Sequence, residues 1–69
     1  MTAFRVEVCG IWRDLALSTE EQRTQVFLVA APGPGAARTA GVQLFGGESA
    51  RLRFLALPGC DARVLIDGD

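Results

Sequence analysis

The stretch AGVQLFGGESARLRFLAL, residues 40–57, decides the fold that the sequence predicts. Apolar residues recur at every second position on either side of residues 46–48. Side chains on a strand change face at each residue, so the loop length sets which side chains share a face. A three-residue loop at 46–48 places Leu44 opposite Ala50 and gives one apolar face, whereas a two-residue loop mixes the faces. The stretch therefore predicts a β-hairpin.

The other face of this predicted hairpin carries the candidate partner-binding residues. By the same alternation, Arg51 and Arg53 lie there beside Phe45 and Leu55. Arginine and aromatic side chains in mixed polar and apolar surroundings are typical of protein interfaces. Two alternatives stay open: stacking on single-stranded nucleic acid in an OB- or SH3-like barrel, and a solvated sheet face with two scattered apolar residues.

Composition indicates a small domain with more apolar residues than its surface needs. The 69 residues are 49% hydrophobic and only 22% charged, and the mean hydropathy is +0.25. We expect a single domain over residues 1–69, because a chain of this length has no room for two cores. Another chain covering part of the apolar surface would explain the surplus, unless the many alanines inflate the count without forming a patch.

Charge and residue types argue against two classes of function. The net charge is −1, whereas nucleic-acid-binding modules are usually basic. All seven basic residues are arginines, and the sequence contains no His, Lys or Tyr. Schiff-base, imidazole and tyrosine chemistry are therefore absent. We expect no catalytic residues, no cofactor and no metal, and hence no enzyme.

The rest of the chain predicts three further strands. Residues 3–13 alternate cleanly between apolar and polar positions, which is typical of a half-buried strand. A capping box at residues 18–21 allows a helix over 19–31, but residues 26–31 are apolar on every side. That pattern favours a loop or helical turn at 18–23 followed by a strand at 24–31 with both faces covered. The last strand spans residues 62–66.

Together these elements predict an all-β fold. The strands are about 3–13, 24–31, 38–45, 50–57 and 62–66, and short turns favour an antiparallel meander. The segment Pro32-Gly33-Pro34-Gly35 reads as a wide loop, because two prolines remove two amide donors. Five strands with one apolar face would close into a small barrel or fold into a sandwich. Without lysines to protect the strand edges, edge pairing between copies is a further possibility.

Cys9 and Cys60 leave three alternatives open: two free thiols, one disulfide, or part of a metal site completed by a second copy. The sequence shows no signal peptide and no transmembrane segment. We therefore expect a cytoplasmic protein, or a component of an assembly built in the cytoplasm, with reduced thiols.

These observations predict a non-catalytic protein-binding or assembly module. A structural subunit of a larger complex, such as a minor, decorating or connector subunit of a virus particle, is the expected role. A small nucleic-acid-binding barrel and a small inhibitor or adaptor that blocks a partner's surface are the alternatives. Protein partners or self-association are favoured over nucleic acid, and neither a membrane nor a small-molecule substrate is indicated.

Overall fold

A computed structural model describes residues 1–65 of the chain. These residues form four antiparallel strands and one helix, with 49% in strands and 28% in the helix. In chain order the elements are β1 (Thr2–Asp14), β2 (Glu20–Ala31), α1 (Pro34–Arg51), β3 (Phe54–Ala56) and β4 (Asp61–Val64).

Strand β1 is the centre of the sheet. It pairs with β2 along its whole length, from Thr2 opposite Ala31 to Arg13 opposite Glu20. Its other edge is shared by the two short strands: β3 pairs with the end of β1, and β4 pairs with its middle, residues 6–9. Residues 57–60, which include Pro58, interrupt this edge. Helix α1 covers one face of the sheet.

The β1–β2 hairpin confirms the two strands predicted at 3–13 and 24–31, and β2 begins earlier than expected. The loop or helical turn predicted at 18–23 is wrong beyond residue 19, where the strand has already begun. The Asp14 carboxylate accepts hydrogen bonds from the backbone amides of Ala16 and Leu17 at 2.8 and 3.0 Å, and Ser18 adopts a φ of 57°. This turn reverses the chain within residues 15–19, so β2 starts at Glu20.

Residues 40–57 do not form the predicted hairpin. Helix α1 replaces the predicted strand at 38–45, the loop at 46–48 and the beginning of the strand at 50–57; only residues 54–56 are a strand. The buried residues of α1 recur every fourth position, which places them on one side of the helix. They are Ala37, Gly41, Phe45 and Ser49.

The loop predicted at residues 32–35 is correct for only half of that segment. The chain turns after Ala31, but the helix begins at Pro34. Proline is tolerated in the first turn of a helix, where its missing N–H would have no partner. The two prolines therefore end β2 and begin α1, rather than exclude a helix.

The predicted barrel or sandwich is wrong because the helix supplies the second layer. The core is built from β1, β2 and α1, and partly buried side chains of β3 and β4 pack against it. With one sheet face covered by the helix, the sheet has no need to close on itself, and it stays open. The buried core residues are Val6, Val8, Trp12, Val29, Ala31, Ala37 and Phe45. The predicted strand at 62–66 corresponds to β4, and Ile66 lies outside the described residues.

Arg53, just after the end of α1, has an unfavourable backbone conformation, and replacing it gives a testable prediction. Its φ is 67°, in the left-handed region, and it directly follows the helix C-cap Leu52. Glycine is preferred at this position because it has no Cβ. Arg53→Gly is expected to raise the free energy of unfolding by about 1 kcal/mol, measured by urea denaturation. The exposed and equally charged neighbour Arg51 is the control: Arg51→Gly lies inside the helix and is expected to destabilise by a similar amount. Equal losses for both variants would contradict the prediction.

Candidate protein-binding surface

The face of the sheet opposite α1, called the open face below, carries exposed apolar side chains. Odd-numbered residues of β1 and even-numbered residues of β2 point to it, because Val6, Val8 and Trp12 point to the helix. Among the described residues, four large apolar side chains of the open face are well exposed: Leu28 (76%), Val26 (51%), Leu55 (48%) and Ile11 (38%). The strand predicted to be covered on both faces is therefore covered on one.

Two ion pairs lie between these apolar side chains. Arg63 Nε donates to Glu7 Oε1 at 2.7 Å, and Arg13 Nη2 donates to Glu20 Oε2 at 2.6 Å. Both pairs join neighbouring strands across the open face. Ion pairs at exposed sites contribute little to stability. Each pair offsets two of the charges that lie among the apolar residues of the open face.

Cys9 also lies on the open face. Its Sγ is 2.9 Å from Thr24 Oγ1, and Gln22 Nε2 donates to it at 3.8 Å. Cys60 is on the helix side, where it packs against the core. Both thiols are free, so the disulfide left open by the sequence does not form. Within residues 1–65, no group of three or more His, Cys, Asp or Glu side chains could hold a metal ion.

The four predicted binding residues do not share one surface. Phe45 belongs to α1 and is fully buried between the helix and the sheet, so it is not accessible to a partner in this fold. Arg51 lies in the last turn of α1, where it bonds to Glu48 and lowers the pKa of that carboxyl. Arg53 follows the helix. Leu55 alone lies on the open face, opposite Arg13 of β1.

An aromatic cluster closes one end of the core beneath the helix. The Trp12 ring centroid lies 5.3 Å from that of Phe45 and 5.4 Å from that of Phe54. The guanidinium carbon of Arg23 lies 4.7 Å from the Trp12 ring centroid, and its Nε donates to Glu21. A cation over an aromatic ring is stabilising and shields the ring from water. This cluster is structural, and the sequence alternation places Trp12 in the core without revealing Arg23 above it.

An open groove of about 620 Å³ lies between the β1–β2 turn and the end of α1. Its lining is mainly apolar, with one acidic and one basic residue: Asp14, Leu15, Ala16, Ala50, Leu52, Arg53 and Phe54. The Asp14 carboxylate is engaged by the backbone amides of the turn. Both hydrogen bonds are accepted by Asp14 Oδ1, so they orient the carboxylate within the turn.

Comparison of the chain with protein-family models, with curated proteins and with solved structures found no match. Over the part of the chain that the structure describes, no helix has the length and apolar character needed to cross a membrane.

Proposed function

We propose that this chain is a non-catalytic protein-binding module that binds its partner through the open face. The observation that carries the proposal is the exposure of Ile11, Val26, Leu28 and Leu55 on one side of the sheet. An antiparallel sheet with a helix on one face commonly presents a polar second face to water. Here large apolar side chains occupy positions where polar ones would be expected.

The arrangement of the open face supports a protein partner. Apolar side chains interspersed with paired charges, as on the open face, are found at protein interfaces, which combine apolar contacts with polar ones. Full burial of one leucine or valine side chain stabilises by about 1.5–3 kcal/mol, and the half-exposed side chains here retain part of that gain for binding. A role as a subunit of a larger assembly, or as an adaptor or inhibitor that covers a partner's surface, uses the same face.

Nucleic acid is a weaker candidate than protein. The predicted OB- or SH3-like barrel is absent from the described fold, because the sheet stays open. Two of the open-face arginines, Arg13 and Arg63, are already bonded to glutamates. Phosphate binding would have to break these pairs, and the net charge of −1 adds no general attraction to the backbone.

A site-specific photocrosslink tests the proposal. A benzophenone side chain placed at Leu55, on the open face, is expected to give a discrete adduct with another protein in the native host. Leu55 lies on β3, on the other side of β1 from β2 in the strand order. The same label at Gln43, an exposed residue of α1, is the matched control and is expected to give none.

The comparison of the two labels decides the outcome. A defined adduct from Leu55 alone, identified by mass spectrometry, supports binding through the open face. No adduct from Leu55, or the same products from both positions, would show that the open face does not bind a protein.

A further inference from the structure

The outer edge of β2 carries a row of backbone groups that no described strand uses. The carbonyls of Arg5 and Ile11 accept hydrogen bonds from Leu65 and Leu57 on the β3–β4 side. In an antiparallel ladder, neighbouring residues direct their backbone groups to opposite sides. Even-numbered residues of β1 therefore bond to β2, and their partners are the odd-numbered residues of β2. The even-numbered residues of β2, from Glu20 to Ala30, direct their N–H and C=O groups away from the sheet.

The second half of this edge, residues 26–31, has none of the features that normally prevent strand pairing. Exposed edges are usually blocked by charged side chains, proline or a bulge, or kept very short. Strand β2 has 12 residues, contains neither lysine nor proline, and pairs with β1 without a bulge. Its second half, residues 26–31, is uncharged and apolar. What fits such an edge is an extended backbone with apolar side chains.

We propose that this backbone is β2 of a second copy, paired antiparallel about a two-fold axis at Phe27. In this register Val26 of each copy lies opposite Leu28 of the other, and residues 23–31 of both strands form the ladder. The even-numbered residues then bond to each other, as the free edge requires. The two most exposed apolar side chains of β2 meet on the open face, where such cross-strand pairs stabilise a sheet.

The distribution of charge in β2 selects the antiparallel direction. Its charged residues, Glu20, Glu21 and Arg23, all lie in the first four positions. Parallel pairing in register would place each charge directly opposite its own copy, which is destabilising. Antiparallel pairing about Phe27 joins the uncharged halves and leaves both glutamates beyond the paired segment.

The same register brings a carboxylate to an uncapped helix. Helix α1 begins after Gly33 with no side-chain cap and no acidic residue in its first turn. Counted along this register, position 21 of one copy is level with position 33 of the other, two residues beyond the end of β2 at Ala31. The hydrogen bond from Arg23 uses only Oε2 of Glu21, so Oε1 is available. A negative charge at a helix N-terminus is stabilising. Each copy would therefore supply the acidic group that the other copy's helix lacks.

Light scattering coupled to size exclusion gives the first test, from about 1 to about 500 µM protein. We expect a concentration-dependent dimer of twice the 7.3 kDa chain mass. Hydrogen exchange of the backbone amides gives the second. In the dimer, the amides of Thr24, Val26, Leu28 and Ala30 should exchange slowly. A protein that stays monomeric at every concentration, or a dimer in which these amides exchange as fast as exposed ones, overturns the proposal.

Variants at the edge and away from it give the third test. Leu28→Arg is expected to weaken dimerisation at least about tenfold, whereas Leu44→Arg, a matched change of an exposed leucine on the outside of α1, leaves it unchanged. Val26→Pro should abolish the dimer and keep the monomer fold, because the Val26 N–H points away from β1. Circular dichroism checks that each variant is folded. A dimer equally weakened by both arginine variants, or one unaffected by Leu28→Arg, contradicts pairing along β2. The photocrosslink at Leu55 is independent of these results, so the binding function and the β2 pairing can fail separately.

Discussion

Replacing Phe45 by alanine is expected to lower the free energy of unfolding by about 3–5 kcal/mol. Phe45 is completely buried, and its ring packs on Trp12 with centroids 5.3 Å apart. Truncation removes the apolar contact and leaves a cavity between α1 and the sheet, which the surrounding side chains fill only in part. A domain of this size has a total stability of about 3–10 kcal/mol, so the variant would be largely unfolded or close to it. Urea denaturation followed by circular dichroism measures the change.

The neighbouring residue Leu44 is the matched control for Phe45. Its side chain is 46% exposed on the outside of α1, and Leu44→Ala is expected to cost less than about 1 kcal/mol. The predicted hairpin requires the reverse order, because it places Leu44 on the apolar face and Phe45 on the other. If Leu44→Ala proved more destabilising than Phe45→Ala, residues 34–51 would not be the helix described here.

A leucine at position 41 is expected to destabilise the protein by about 3 kcal/mol, although leucine favours helices over glycine. A Cβ atom on Gly41 would lie 2.7 Å from Val6 Cγ1 and 3.3 Å from Val8 Cγ2. Both valines are fully buried, so neither can rotate away, and the helix itself must move from the sheet. The loss should appear as a lower midpoint of urea denaturation.

Gly47 provides the opposite result in the same helix. A Cβ atom there meets nothing within 4 Å. Gly47→Leu therefore gains helix propensity without a clash, and it is expected to stabilise by about 0.5–1 kcal/mol. Equal effects of the two leucine substitutions would show that α1 does not pack against β1 through Gly41.

The strands β1 and β2 were predictable from the sequence because the pattern of each is local. Apolar and polar residues alternate along residues 3–13, and the two strands are joined by a short turn. Only the start of β2 was missed, since the turn depends on the Asp14 carboxylate and on Ser18 at positive φ. An Asp followed by a short polar segment is a turn signal that could have placed it.

Helix α1 was not predictable from the same rules. Residues 40–57 alternate like a strand, and the helix contains Gly35, Gly41, Gly46 and Gly47, which lower helix propensity by about 1 kcal/mol each relative to alanine. The buried side of the helix consists mostly of small residues, so it carries little hydrophobic signal. The recurrence of small residues and Phe45 at every fourth position was the signal that could have revealed it.

The candidate site depended on this assignment. Strand alternation placed Phe45, Arg51, Arg53 and Leu55 on one face, but a helix turns about 100° per residue, so Phe45 points to the core and Arg51 to solvent. The two residues that dominate the open face, Val26 and Leu28, were expected to be covered. Whether the open face binds a protein stays a prediction, and the same holds for Arg51 and Arg53.

By itself, the sequence determined the two long strands, the faces of β1, the change of direction after Ala31 and the surplus of apolar residues. The tertiary structure alone decided that residues 34–51 are a helix and that one sheet face is covered while the other is open. Local preferences amount to about 1 kcal/mol or less per residue, whereas burying Phe45 and bringing Gly41 against Val6 and Val8 is worth several kcal/mol. Packing against the sheet therefore overrides the local pattern, and the same packing leaves Ile11, Val26, Leu28 and Leu55 exposed on the open face.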